Sequence, residues 1–192
     1  AAEIPPTFGA SADLFQGIIA GGAPALRQSI EGAEDDARSG ALAMDERRVK
    51  REDVVIGISA SGRAAFVIGA LRRAQEIGAQ TIFMTSNVPL AAGVSPAETS
   101  AAVTAASTEN WDLVINLLTG PEIVAGSTRL KAGTATKVAL NIISTGVMAR
   151  LGRVHGNLMI DLQPTNKKLR ERAIGLVSQL AGCDRESARS RL

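Results

Sequence analysis

Short apolar runs alternate along this chain with longer stretches in which apolar residues recur every three or four positions. The runs "LFQGIIAGG" (14–22), "DVVIGIS" (53–59), "QTIFMTS" (80–86) and "WDLVINLLTG" (111–120) predict strands. "DVVIGIS" is apolar throughout, the pattern of a parallel strand covered on both faces. The helical period runs through "DDARSGALAMDERRV" (35–49), although Gly40 weakens that stretch, and through "GRAAFVIGALRRAQEIG" (62–78), which Gly78 closes. It returns in "TRLKAGTATKVALNIISTGVMARLG" (128–152), the longest such pattern, and in "PTNKKLRERAIGLVSQLAG" (164–182), with Pro164 inside its start. Pro24 is placed to open another helix, and Asp184 to cap a last one. The segment 87–110, rich in Ala, Ser and Thr, is long for a connection and reads as a short helix or a mobile insertion. Strands alternating with helices predict an α/β doubly wound, mainly parallel sheet.

Composition narrows the function classes. The 192 residues suffice for one sizeable core, built from Ala, Val, Ile and Leu because aromatics make up only 3% and tyrosine is absent. A net charge of +2, with no aromatics among the basic residues, gives no footprint for nucleic acid. One cysteine, Cys183, cannot form an intramolecular disulfide and fits a reducing compartment. With one histidine, His155, no His/Cys metal site is available, and His155 itself reads as structural. No apolar run is long enough to span a bilayer, and "AAEIPPTFG" lacks the features of a signal peptide, so the cytoplasm is the expected compartment and no membrane partner is expected.

In an open parallel sheet ligands bind at the carboxyl ends of strands, beside helix N-termini. "GISASGR" stands at such an end. Ser59 and Ser61 offer hydroxyls, Gly62 allows close backbone approach, and the helix that follows Arg63 directs free N–H groups at an anion, which suits a phosphate. The same string also fits a serine-rich turn that only caps a helix. It is neither a Walker loop nor a dinucleotide fingerprint. A second cluster, "GSTRLKAGTATK" (126–137), gathers Ser127, Thr128, Arg129, Lys131 and Thr134 at a helix start. Among the acids, Glu34 in "IEGAEDD" has the ordinary reading of a solvated turn. Glu3 is held by two prolines with Phe8 nearby, a setting in which drier surroundings would favour a general acid.

The blocks "EIPPTFG", "IIAGG", "EGAEDD", "GISASGR", "GPEIVAGSTRLKAGTATK" and "GNLMIDLQPTN" together resemble the N-acetylmuramic acid 6-phosphate etherases, a sugar-isomerase (SIS) family related to the glucokinase regulatory protein. The resemblance runs from residue 3 to about 182. It implies cleavage of the D-lactyl ether at C3 of N-acetylmuramic acid 6-phosphate by elimination and hydration, giving N-acetylglucosamine 6-phosphate and D-lactate in peptidoglycan recycling, without metal or nucleotide cofactor. It further implies that Glu3 acts on the lactate oxygen and Glu34 at C2. The 6-phosphate would lie against Ser59, Ser61, Gly62 and Arg63, with Ser127 and Lys131 also binding substrate. A homodimer with its site near the subunit interface is expected. The competing readings are a non-catalytic sugar-phosphate sensor and an aldose–ketose isomerase.

The chain departs from that pattern in places. "SGRAA" stands where relatives often carry "SGRTP", so a hydroxyl is lost at Ala64. A first strand and phosphate loop ahead of "EIPPTFG" have no counterpart, and the C-terminal helical domain looks cut short. The expected organisation is a SIS sugar-phosphate domain over 1–163, N-terminally incomplete, and the start of a small helical domain over 164–192. A flavodoxin-like strand order places the missing strand between 14–22 and 53–59, which predicts either a strand-wide gap between those two or their direct pairing.

Overall fold

The computed structural model describes residues 1–86 and 109–192; the expectation for 87–110 therefore lies almost wholly outside the described residues. The chain divides into two units, Ile18–Ala139 and a second made of Ala1–Gly17 with Leu140–Leu192. The first unit holds the sheet. Strands β1 (Val54–Ile58), β2 (Gln80–Thr85) and β3 (Leu113–Asn116) pair in parallel in the order β1-β2-β3, with Ile58 opposite Met84 and Thr85 opposite Asn116. This is the α/β, parallel-sheet architecture that the alternation predicts.

Helix α1 (Ile4–Phe8) belongs to the second unit; α2 (Ala37–Glu46) and α3 (Ala65–Ile77) belong to the first. Helix α3 crosses from β1 to β2 and ends where Gly78 takes the left-handed conformation at φ 90°. The core beneath it is Leu71, Phe83 and Trp111, with Val55, Val67 and Ile68 packed around them. The Phe83 and Trp111 rings lie 6.2 Å apart, tilted, a favourable aromatic arrangement. At the far end of the sheet Thr81 is fully buried, and its hydroxyl and N–H both donate to the Asp112 carboxylate, at 2.8 and 2.7 Å. Those bonds, the backbone one first, hold the Asp112 carboxyl below its usual range.

Two glycines set how closely α2 approaches α3. A side chain on Gly69 would place its Cβ 2.0 Å from the Ala37 carbonyl oxygen, and one on Gly40 would meet the Phe66 carbonyl oxygen at 1.9 Å. Gly40 looks in the sequence like a flaw in a helix, but the backbone of α3 occupies the space a larger residue would need. Further along, Arg73 pairs with Asp45 at 2.9 Å. Asp45 in α2 lies beside Arg73, and the chain just after α2 passes the end of α3, where a Cβ on Gly78 would meet Arg51, so the two helices advance in the same sense and the chain preceding α2 lies toward the beginning of α3.

The strand expected at 14–22 does not form. Those residues make bends and turns, and Gly21 and Gly22, at φ 80° and 67°, lead into one 3-10 turn (Ala23–Leu26) that carries Pro24. An apolar run becomes a strand only by pairing, and the outer edge of β1 is unpaired among the described residues. Ile18 and Ile19 accordingly remain substantially exposed. With no strand at 14–22, neither the expected gap nor the expected direct pairing describes this edge.

Helix α4 (Lys131–Arg150) begins in the first unit and ends in the second. In the second unit the hairpin β4 (Val154–His155) and β5 (Leu158–Met159) turns through Gly156 at φ 59°, flanked by an Arg153–Asp161 ion pair of 2.6 Å. Helix α5 (Lys167–Ala181) starts after the Asn166 cap, three residues beyond the expected start at Pro164, and closes at Gly182. Helix α6 (Arg185–Ser190) is capped by Asp184, which accepts from the Glu186 and Ser187 amides as the sequence predicts. No helix among the described residues is long and apolar enough to cross a membrane.

Candidate sugar-phosphate site

Strand β1 delivers Ser59 at the carboxyl edge of the sheet. The Ser59 amide donates to the Met84 carbonyl, which keeps the residue in register with β2, and its hydroxyl is buried. The chain then turns tightly. The Gly62 N–H donates to the Ser59 carbonyl at 3.0 Å, and Gly62 sits at φ 76°, where a side chain would be strained. The Ser59 hydroxyl accepts from the Ala64 amide and the Ser61 hydroxyl from the Arg63 amide, each at 3.3 Å. Ser61 and Arg63 face solvent.

The loop is anchored to β2 from below. The Ala60 carbonyl accepts from the Ser86 amide at 3.2 Å and from the Thr85 hydroxyl at 3.3 Å. Helix α3 leaves this loop with no side-chain cap, because Ala64 stands at the N-cap position. Its first amides and the positive end of its dipole therefore point at the loop, the arrangement that binds phosphate. The lost hydroxyl at Ala64 thus removes a competitor for those amides.

Glu34 lies in a 3-10 turn (Ala33–Asp35) that packs against α3. By the shared direction of α2 and α3 this turn stands toward the end of α3 that the serine loop feeds. The Glu34 side chain is exposed, so its carboxylate is presented to solvent on that side. Next to it Asp36 is spent on structure: it accepts from the Ser39 hydroxyl and amide at 2.6 and 3.0 Å, capping α2, and these bonds hold its carboxyl below the usual range. Of the acids in "EGAEDD", one is thus taken by the helix, while Glu34 keeps its place in the turn.

The second cluster is arranged differently from its expectation. The amides that open α4, those of Lys131 and Ala132, donate to the Glu122 carboxylate at 2.8 and 2.9 Å. The Ala132 and Lys131 amides hold the Glu122 carboxyl below its usual range, so it stays ionised as an internal cap. The Lys131 ammonium donates to the Pro121 carbonyl at 3.0 Å, and Ser127 is half-buried in the turn before the helix. The sequence reading missed Glu122; its signal was a carboxylate in "GPEIVAGSTRLK", a few residues ahead of a helix start.

Glu3 belongs to the other unit. It stands at the N-cap position of α1, exposed, with Pro5 and Pro6 in the first turn. The turn is fastened by the Gln163 amide, which donates to the Pro6 carbonyl at 3.3 Å. Gly9 closes α1 at φ 59°, where a Cβ would stand 2.9 Å from the Asp161 carbonyl oxygen and 2.8 Å from the Gln163 side-chain nitrogen and so has no room. "EIPPTFG" and "DLQPTN" are thus one local structure.

A parallel sheet whose carboxyl edge carries a Ser-x-Ser-Gly loop feeding an uncapped helix is consistent with a SIS-type fold. The family described as glucokinase regulatory protein N-terminal SIS domain matches residues 2–75, and that of the C-terminal lid domain of glucokinase regulatory protein matches 156–192. The chain is 51% identical over 188 residues to a protein of Trichormus variabilis named N-acetylmuramic acid 6-phosphate etherase, 50% over 188 residues to one of Thermosynechococcus vestitus and 47% over 192 residues to one of Gloeobacter violaceus, both of the same name. Each alignment covers 98% of this chain and 56% of the relative, so the chain spans about half the length of the curated relatives it matches. Over the aligned residues the chain is thus similar to proteins named N-acetylmuramic acid 6-phosphate etherase, and residues 2–75 match a SIS domain.

Proposed function

We propose that the protein of which this chain forms part is a lyase that cleaves the D-lactyl ether of N-acetylmuramic acid 6-phosphate, acting in the cytoplasm in cell-wall recycling. The observation that carries the reading is the serine loop at the end of β1, opening onto the uncapped start of α3 with the Glu34 turn alongside. The names of relatives at about half identity support it. The 6-phosphate lies on Ser59, Ser61, Gly62 and the α3 amides, with Arg63, Ser127 and Lys131 supplying further hydroxyl and positive charge. In the open-chain sugar the C1 aldehyde acidifies C2–H, and Glu34 removes that proton. Glu3 protonates the lactate oxygen as it leaves C3, then takes a proton from the water that adds there, while Glu34, its proton exchanged with solvent, returns one to C2. Removing a proton at C2 and delivering one to the lactate oxygen call for two carboxyl groups.

The test is release of D-lactate by the full-length protein from N-acetylmuramic acid 6-phosphate. Tight binding of the sugar phosphate with no lactate would replace the lyase by a sensor. Ser59→Ala and Ser61→Ala are each expected to weaken 6-phosphorylated sugar by about 1–3 kcal/mol, the worth of a hydrogen bond to a charged group, while barely changing affinity for the unphosphorylated sugar. Equal losses for both sugars, read by titration calorimetry, would remove the phosphate from this loop.

A homodimer is part of the same proposal, with the site near the subunit interface. Its support is α4, on which Val138 and Ile142 are 51% and 68% exposed, apolar surface that a second copy would cover. Ile142→Glu is expected to shift the full-length protein from dimer to monomer in light scattering; an unchanged mass would place the interface elsewhere.

A further inference from the structure

The carboxyl edge of the sheet carries a polar row beyond the serine loop. Strand register sets Thr85 opposite Asn116. Ser59 follows Ile58, the partner of Met84, and so continues the same row. In this row Ser59 and Thr85 have hydrogen-bond partners, to the Ala64 amide and the Ala60 carbonyl. Asn116 does not: its Oδ1 is buried without a donor, and so is the hydroxyl of Ser86, the next residue after Thr85. These are the only buried side-chain polar atoms without a partner among the described residues. Buried acceptors left unmade are costly, and native structures hold few of them. Both stand at the edge where parallel sheets bind ligands, one of them tied through its own amide to Ala60 of the phosphate loop.

We propose that Asn116 and Ser86 are sugar-binding residues, with Asn116 Oδ1 accepting a hydrogen bond from a hydroxyl or acetamido N–H of the phosphosugar. The proposal rests on the sugar-phosphate reading above and adds to it the residues that recognise the sugar rather than the phosphate. Parallel strands lie ~4.8 Å apart, so Ser59 and Asn116, two strands distant, are separated by roughly 9–10 Å. That span suits a hexose with its phosphate at Ser59 and its reacting end toward Asn116. An amide oxygen is an acceptor only, so it selects a ligand that brings a donor. The sequence carries the signal in the polar residues that end "TIFMTS" and "LVIN".

The experiment is titration calorimetry on the full-length protein and its Asn116→Leu and Ser86→Ala variants, with N-acetylglucosamine 6-phosphate and with inorganic phosphate as probes, alongside thermal melting without ligand. Asn116→Leu is expected to weaken the phosphosugar about tenfold, leave inorganic phosphate unchanged, and leave the melting temperature equal or higher, since an orphan acceptor is removed. Ser86→Ala, too small a change to endanger folding, is expected to show the same pattern more weakly. Wild-type affinity for the phosphosugar in both variants would overturn the proposal while leaving the phosphate site standing, and would give these atoms to bound water. A loss of stability that tracks the loss of affinity would make Asn116 structural and also overturn it. A wild-type protein that binds the phosphosugar no better than phosphate would overturn the sugar-phosphate reading itself.

Discussion

Replacing Glu34 by glutamine is expected to lower D-lactate release by about 10²–10⁴-fold, the usual worth of a positioned general base, with the fold intact. The side chain is exposed in its 3-10 turn, so the amide fits where the carboxylate stood and no core contact is lost. Affinity for the phosphosugar is expected to change little, because the proposed phosphate contacts lie in the serine loop. Glu3→Gln is expected to lose lactate release to a similar degree, since an uncatalysed alkoxide is a poor leaving group. Steady-state lactate assays on folded variants check both; wild-type turnover in either would remove that residue from the chemistry.

Gly69→Ala is expected to destabilise the fold strongly. Its new methyl would stand 2.0 Å from the Ala37 carbonyl oxygen, a backbone atom that cannot rotate away. Helix propensity favours alanine by about 0.5–1 kcal/mol, whereas forcing the helices apart costs about 3 kcal/mol or more, so the clash wins. At about 2–4 °C per kcal/mol for a chain of this size, the net loss lowers the melting temperature by roughly 4–10 °C. Because α2 moves with the turn before it, Glu34 would shift as well, and lactate release would fall below what the remaining folded fraction accounts for. A melting temperature equal to or above the wild type would contradict the close approach of α2 and α3.

The elements that local pattern determines were legible. Strands at 54–58 and 80–85 lie within the short apolar runs, and helices at 65–77, 131–150 and 167–181 within the stretches of period 3.6, while Gly78, Gly182 and Asp184 end or start helices as their chemistry dictates. What pattern could not supply is pairing. "LFQGIIAGG" has strand composition but no neighbour, and without one its glycines make turns. Gly40 looked like a weakness for the same reason: its cause is a carbonyl of another helix, distant in sequence. The serine loop was legible because strand, hydroxyls, glycine and helix are contiguous. The competition for the start of α4 was not, since Glu122 reaches the Lys131 and Ala132 amides across a loop. Asn116 and Ser86 became visible only once register set them beside the loop and burial left them without partners.

The most direct measurement is the fate of the C2 hydrogen. If Glu34 removes that proton and the intermediate is hydrated, the full-length protein acting on N-acetylmuramic acid 6-phosphate in deuterium oxide yields N-acetylglucosamine 6-phosphate with deuterium at C2. Glu3→Gln, blocked after proton removal, still exchanges C2 in the unreacted substrate, and Glu34→Gln does not. D-lactate formed with the C2 hydrogen fully retained, or exchange that survives in Glu34→Gln and vanishes in Glu3→Gln, would contradict the account.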